Sequence, residues 1–418
     1  MTTSRLPRSL TRIRSLDDFE RPARSRLPRP LFSYISNGAD NEVSLRGNRD
    51  AFDQYVLMPR MLVDVSRRSQ QVEIFGQRFD SPFGISPVGL GAMYAYRGDV
   101  VLASAAARAN IPAVLSGASL IRMEDVSRAA PDTWFQAYMP GDAARVEALL
   151  ARVEAAGFRT LVLTVDLPVS VNPENYARNG FSSPLRPSLS LAWQGVSHPR
   201  WLLGTFGRTL LRHGMPHFEN WRAERGAPIL SPSLEKDLQA RDHFNWTHVR
   251  QIRALWKGKL VIKGVVRWQD AVLARDAGAD GIIVSNHGGR QVDCSVSPLH
   301  VLPGIVKAVP DVVVMMDSGI RRGSDVLKAL SLGARCVFAG RPFNYAAAVG
   351  GARGVDHAIG ILRGEVHRNM ALLGINRLDE LDDTLVRHAS SLYPSPAPQA
   401  VKPAVVQPLP PARSSGQA

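Results

Sequence analysis

The segment SNHGGRQVD, Ser285 to Asp293, sets a histidine before two glycines and an arginine three residues further on. Glycines let a backbone approach a ligand closely, so His287 is placed to accept a proton while Arg290 holds an oxyanion of the same molecule. A lone histidine is more often structural, and it is this company that makes the base reading the stronger. Lys263, in VIKGV, is an ammonium inside an apolar run. Burying it is costly unless something negative meets it, either a core carboxylate or a bound group that becomes anionic. The bound group is the expectation. DSGIRRGSD (Asp317 to Asp325) and AGRP (Ala339 to Pro342) then offer glycine amides and the arginines Arg321 and Arg341 beside helix starts, which suits a phosphate. The chemistry implied is proton abstraction from an anionic substrate, beside a phosphate-bearing ligand that gains negative charge.

These residues need a scaffold that brings distant segments to one face. From Phe83 onward, eight short apolar segments alternate with amphipathic ones such as DAARVEALLARVEAAG and RWQDAVLARDAGA. They are Phe83–Gly89, Ala113–Gly117, Trp134–Met139, Thr160–Asp166, Lys259–Val265, Gly281–Gly289, Val312–Gly319 and Cys336–Gly340. Strands alternating with crossover helices make a parallel sheet. An open doubly wound sheet is the alternative, but eight units and no early GxGxxG after the first strand favour a closed α/β fold, the (β/α)8 TIM barrel. Gln136, Tyr138, Thr164, Asp166, Lys263, His287, Arg290, Asp317 and Arg341 then fall at carboxyl ends of strands, where barrel active sites sit. Residues 1–30 read as an amino-terminal arm, 31–392 as the barrel with a long insertion at 167–244, and 393–418 as a disordered tail rich in Pro, Ala, Ser and Gln. The insertion mixes Trp193, Trp201, Leu202, Leu203, Phe206, Leu210 and Leu211 with Arg200, Arg208 and Arg212, which fits equally a lid on the barrel mouth and an anionic membrane surface.

Composition narrows the function classes. The net charge of +14 is mostly arginine, suited to carboxylates, phosphates or an anionic lipid surface. No zinc spacing, RNP-type aromatic cluster or helix-turn-helix pattern accompanies it, so nucleic acid is not an expected partner and no metal is expected. Only Cys294 and Cys336 are present, which speaks against a disulfide framework. No apolar run approaches the roughly 20 residues of a membrane span.

Taken together, the motifs YISNGADNEVSLRGNRDAF, LVDVSRRS, SPVGLGAMY, WFQAYM, LTVD, VIKGV, SNHGGRQVD and DSGIRRGSDVLKALSLGA resemble the FMN-dependent 2-hydroxy acid oxidase and dehydrogenase family, from about Leu16 to Leu381. Its lactate and mandelate dehydrogenase branches look most similar. The resemblance implies FMN as cofactor and oxidation of an L-2-hydroxy acid to the 2-oxo acid. His287 would be the catalytic base, Asp166 the carboxylate pairing with its imidazolium, and Lys263 the charge that stabilises the reduced flavin. Tyr34, Tyr138 and Arg290 would contact the substrate, with Tyr138 also in the catalytic set. Gln136, Thr164, Ser116, Ser285 and the Pro87, Val88 and Gly89 backbone would hold the ring, and Asp317, Gly319, Arg321, Gly340 and Arg341 the ribityl chain and phosphate. It further implies a homotetramer, while the SPVG segment and the arginine/tryptophan insertion point to a membrane quinone as electron acceptor, with oxygen the alternative, and to a cytoplasmic protein able to lie on the inner face of the cytoplasmic membrane. One position departs. Where the family carries a substrate-binding arginine after LTVD, this chain has Pro173. Either Arg178 or another insertion arginine substitutes, or Arg290 acts alone, or the substrate is larger or peptide-linked and simple hydroxy acids react poorly.

Overall fold

The computed structural model describes residues 7–139, 142–169, 172, 174–181, 188–231 and 241–392. Eight parallel strands form its centre: β1 (Phe83–Ile85), β2 (Val114–Ser116), β3 (Trp134–Ala137), β4 (Thr160–Thr164), β5 (Lys259–Val265), β6 (Gly281–Val284), β7 (Val313–Met316) and β8 (Val337–Ala339). From β2 to β8 each strand pairs with the next, and β8 pairs with β1. The last seam, between β1 and β2, is joined by the parallel bridge Ile85↔Ala113, with Ile85 N donating to Pro112 O at 2.9 Å. The sheet therefore closes into the expected barrel.

Strand parity decides what faces inward. Val114, Trp134, Val162, Val261, Ile283, Met315, Cys336 and Phe338 pack together in the barrel interior, capped by the hairpin strands Val72–Ile74 and Gln77–Phe79. Their alternates, among them Leu161, Leu163, Leu260, Ile262 and Ile282, belong to the larger core under the helices. Because side chains repeat every two residues, the next inward layer toward the carboxyl ends is Ser116, Gln136, Thr164, Lys263, Ser285, Asp317 and Gly340. That layer is the polar floor of the site.

The strands are shorter than their apolar segments suggest, and the loop chemistry gives the reason. After Val284, residues His287, Gly288 and Gly289 have φ of 57°, 68° and 75°, a left-handed run that cannot continue a strand. Gly289 has no alternative, since a Cβ there would lie 2.5 Å from Leu45 N. Gly319, at φ 88°, likewise admits the Asn48 carbonyl, 2.3 Å from where a Cβ would stand.

The amino-terminal arm is packed from residue 8 onward. Leu10, Ile13, Leu16, Phe19, Ala23 and Leu27 are buried in the same core as helix Arg341–Leu373, and His357 Nε2 lies 3.0 Å from Ile13 O. The expected tail at 393–418 lies outside the described residues, as does Pro173. Within the insertion, helices Leu189–Val196, Pro199–Trp201 and Arg208–His213 flank a π-helical turn at Leu202–Gly207. One face docks on the barrel: Trp201 is buried, stacks on Phe206 and donates Nε1 to Met93 O at 2.7 Å. The other carries exposed Leu189, Trp193, Val196, Leu203 and Leu211. Both readings of this segment thus have a surface.

Candidate active site

Above the polar floor lies a cavity of about 990 Å³, including the open space at its mouth. It is lined by Tyr34, Pro87, Val88, Gly89, Ser116, Gln136, Tyr138, Thr164, Lys263, His287, Arg290, Asp317, Gly319, Arg321, Gly340 and Arg341. Two remaining sequence candidates stand directly behind this wall. Asp166 Oδ1 is 3.0 Å from His287 Nδ1, and Ser285 Oγ accepts from Lys263 Nζ at 2.8 Å and from His287 N at 3.0 Å.

At the floor, Lys263 and Asp317 form a buried ion pair, Nζ to Oδ2 3.0 Å, with side chains 4% and 8% exposed. Both answers to the buried-lysine question therefore apply: a core carboxylate meets the ammonium, and the ammonium still lines the cavity. Ser86 Oγ and Ser318 Oγ also donate to this carboxylate. Burial would push Asp317 up, but the Lys263 charge and the hydroxyls around it hold its carboxyl below the ordinary value.

Two polar groups facing the cavity are left without partners. Gln136 Oε1 accepts from Ser116 Oγ at 3.3 Å and from Gly117 N at 3.2 Å, which fixes the amide and turns Nε2 away from both. That Nε2 and the Thr164 hydroxyl are buried with no hydrogen-bond partner among the described residues. Orphaned buried donors of this kind signal a ligand. With Lys263 they match the acceptors along the pyrimidine edge of a flavin.

The opposite pole is cationic. Arg341 is half-buried and donates to the carbonyls of Ile35 and Asn37, with Arg290 and Arg321 near it. Burial first, then repulsion from Arg290 and Arg321, pushes it down to about 10. Arg321 pairs with Asp17 of the amino-terminal segment at 3.2 Å. This surplus beside Gly319 and Gly340 suits a phosphate dianion.

The mouth holds an imidazole and a guanidinium. His287 Nε2 is 3.4 Å from Tyr138 Oη. Arg290 stacks over Tyr34 at 5.0 Å and over Tyr176 at 5.4 Å, and its Nη1 donates to the carbonyls of Tyr34 and Asn37 at 2.6 and 3.1 Å. One of its terminal nitrogens is thus engaged by the protein, so it is less free than a bidentate clamp requires.

A model of the FMN-dependent dehydrogenase family matches residues 23–388. The chain belongs to that family. It is 39% identical over 361 residues to (S)-mandelate dehydrogenase of Pseudomonas putida, spanning 86% of this chain and 90% of that protein. It is 40% identical over 380 residues to an L-lactate dehydrogenase of Caulobacter sp. (strain K31), spanning 90% and 98%. A crystal structure of monotopic membrane protein (S)-mandelate dehydrogenase superposes with a TM-score of 0.82 at 38% identity, covering 90% of this chain and 99% of that one. The protein is therefore an FMN-dependent 2-hydroxy acid dehydrogenase by family, an oxidoreductase acting on CH–OH, and the floor and cationic pole fit its cofactor.

Several site residues escaped the sequence reading. Ser86 was discoverable, being the inward-parity neighbour of Gly84 on β1. Asn48 exchanges two 2.8 Å hydrogen bonds with Asn286, tying helix Val43–Asp53 to the base loop, and Arg49 holds Gly319 O and Asp325; both lie in a motif whose roles were not assigned. Arg178, the named substitute for the missing arginine, is exposed and paired with Glu174.

Proposed function

We propose that the enzyme oxidises an L-2-hydroxy acid of the lactate or mandelate class to its 2-oxo acid, with His287 removing the proton from the carbinol carbon. The observation that carries this reading is the Asp166–His287–Tyr138 arrangement at the cavity mouth. A carboxylate at 3.0 Å from Nδ1 selects the tautomer protonated there and leaves Nε2 as the basic nitrogen, next to Tyr138. The proton moves from carbon to Nε2, and the imidazolium so formed faces Asp166. Tyr34, Tyr138 and Arg290 orient the acid. Gln136, Thr164 and Lys263 would hold the ring edge of FMN, and Gly319, Arg321, Gly340 and Arg341 its phosphate. Bound there, FMN supplies the two-electron acceptor. The carbinol oxygen releases its own proton to solvent at the mouth as the carbonyl forms, so that two electrons would pass to FMN and one proton each to His287 and solvent, which balances a two-electron, two-proton oxidation.

Anaerobic mixing with lactate, mandelate and glycolate tests the reading. Bleaching of the flavin by at least one acid is expected, and a flavin that none of them reduces rejects it.

The exposed apolar face of the insertion, edged by Arg200, Arg208 and Arg212, supports a peripheral membrane site and a membrane quinone as the next electron acceptor. Among the described residues no helix is long and apolar enough to cross a membrane. Flotation with anionic liposomes and anaerobic quinone reduction are the measurements. Absence of lipid binding, together with equal turnover on oxygen, would leave an oxidase instead. A homotetramer is the assembly expected from the family, to be read by light scattering.

A further inference from the structure

The cations around the cavity differ in whether the protein satisfies them. Lys263 has Asp317, Arg290 and Arg341 have backbone carbonyls, and Arg321 has Asp17. Arg241 is different. It is 7% exposed, and its Nε and Nη1 are buried with no acceptor among the described residues. Its guanidinium lies 4.9 Å from the ring centroid of Tyr138. A ring face compensates a buried cation only in part, and two empty donors on a desolvated charge are a costly arrangement unless an anion completes them.

The position says which anion. Tyr138 separates Arg241 from His287, whose Nε2 is 3.4 Å from the tyrosine hydroxyl. Arg241 packs behind Tyr138, which lines the cavity as Arg241 itself does not, so an anion reaching its donors would come past that ring, at the end of the cavity where Tyr138 and His287 stand and away from the phosphate pole. Arg241 is also firmly mounted. Its carbonyl accepts from Phe244 N at 3.0 Å, and Asn245 caps helix Trp246–Leu255, which leads into β5 and Lys263. This arginine stands at the end of the insertion, just before the helix that leads into the strand carrying the floor lysine.

We infer that Arg241 is a substrate-anion ligand, engaging the carboxylate of the hydroxy acid past the edge of Tyr138. The inference rests on the hydroxy-acid reading above. It also accounts for a chain that has Pro173 and an outward-facing Arg178: the second cation for the carboxylate comes from the far end of the insertion.

The test compares R241M and R241K holoenzymes with wild type, using a 2-hydroxy acid, its neutral amide, and the 2-oxo acid as a non-reacting ligand titrated by its effect on the flavin spectrum. Losing one charge-assisted contact should raise KM for the acid and Kd for the 2-oxo acid on the order of 10- to 100-fold in R241M. R241K should lose less, turnover of the amide should not change, and added guanidinium ion should restore part of the acid activity. A loss shared equally by acid and amide, or an unchanged KM and Kd, overturns the inference. If R241M does not retain flavin, R241K carries the same comparison, and equal constants for it and wild type overturn the proposal. A wild-type flavin reduced by no 2-hydroxy acid would sink the parent reading instead; weaker 2-oxo acid binding to R241M would even then keep Arg241 as an anion site.

Discussion

Replacing Lys263 by Met should destabilise the flavin-free protein because it strands Asp317. At 3.0 Å and an effective dielectric near 20, two unit charges attract by about 5 kcal/mol. Desolvation offsets much of that in the intact pair, so its net contribution is small. Removing one partner is a different matter, since the other charge stays buried, and costs of about 3–5 kcal/mol follow. Asp317→Asn strands the lysine and should cost a similar amount. The double variant K263M/D317N removes both charges and should be more stable than either single one, so the coupling in a double-mutant cycle should exceed the cost of one single variant, about 3–5 kcal/mol. Denaturant unfolding of the four flavin-free proteins reads this directly. The acid side adds a check: Asp317 is held below its ordinary value, so its contribution is present above the unfolded carboxylate pKa and is lost as pH falls through the folded one. That loss should be seen in wild type and be absent in K263M. If the double variant costs the sum of the two single ones, the pair is not coupled and this reasoning is wrong. Flavin titration separates stability from function, because the double variant should fold yet bind FMN more weakly.

Other perturbations follow from the same geometry. Asp166→Asn removes the charge facing His287 and should slow anaerobic flavin reduction by about 10²–10³-fold, with flavin content retained; an unchanged rate would exclude Asp166 from proton transfer. Gly319→Ala puts a methyl 2.3 Å from Asn48 O at a left-handed backbone position, so lost flavin affinity and at least about 1–3 kcal/mol of destabilisation are expected from denaturant midpoints. Asp99 is raised to about 6, chiefly by burial. The folded protein therefore holds a proton that the unfolded chain releases near pH 4, and stability falls by on the order of 2–3 kcal/mol as pH rises from about 4 to 6. Asp99→Asn should flatten that slope, and an unaltered pH profile would show that Asp99 does not set it. Trp193→Glu with Leu203→Glu should abolish liposome flotation without changing turnover on a soluble acceptor; undiminished flotation would move the membrane site elsewhere.

Much of this protein was legible in its sequence because local chemistry dictates it. Continuous apolar strands, glycines at left-handed turns and polar residues at strand ends determined the barrel and pointed to His287, Lys263, Arg321 and Arg341 at one cavity. Ser285 and Asp317 follow from their strands once inward parity is known, since every second side chain shares a face. Only the tertiary structure decided the rest, because it depends on where separated segments meet. It gave Lys263 its carboxylate from a strand two positions away, linked Asn48 to Asn286 across 238 residues of chain, and drew Asp17 to Arg321. It also buried Arg241, which in sequence is one more basic residue of an irregular insertion, against Tyr138, with its Nε and Nη1 unpartnered among the described residues. Spacing along a chain reports periodicity; desolvation of a charge is a property of the neighbours that folding assembles around it.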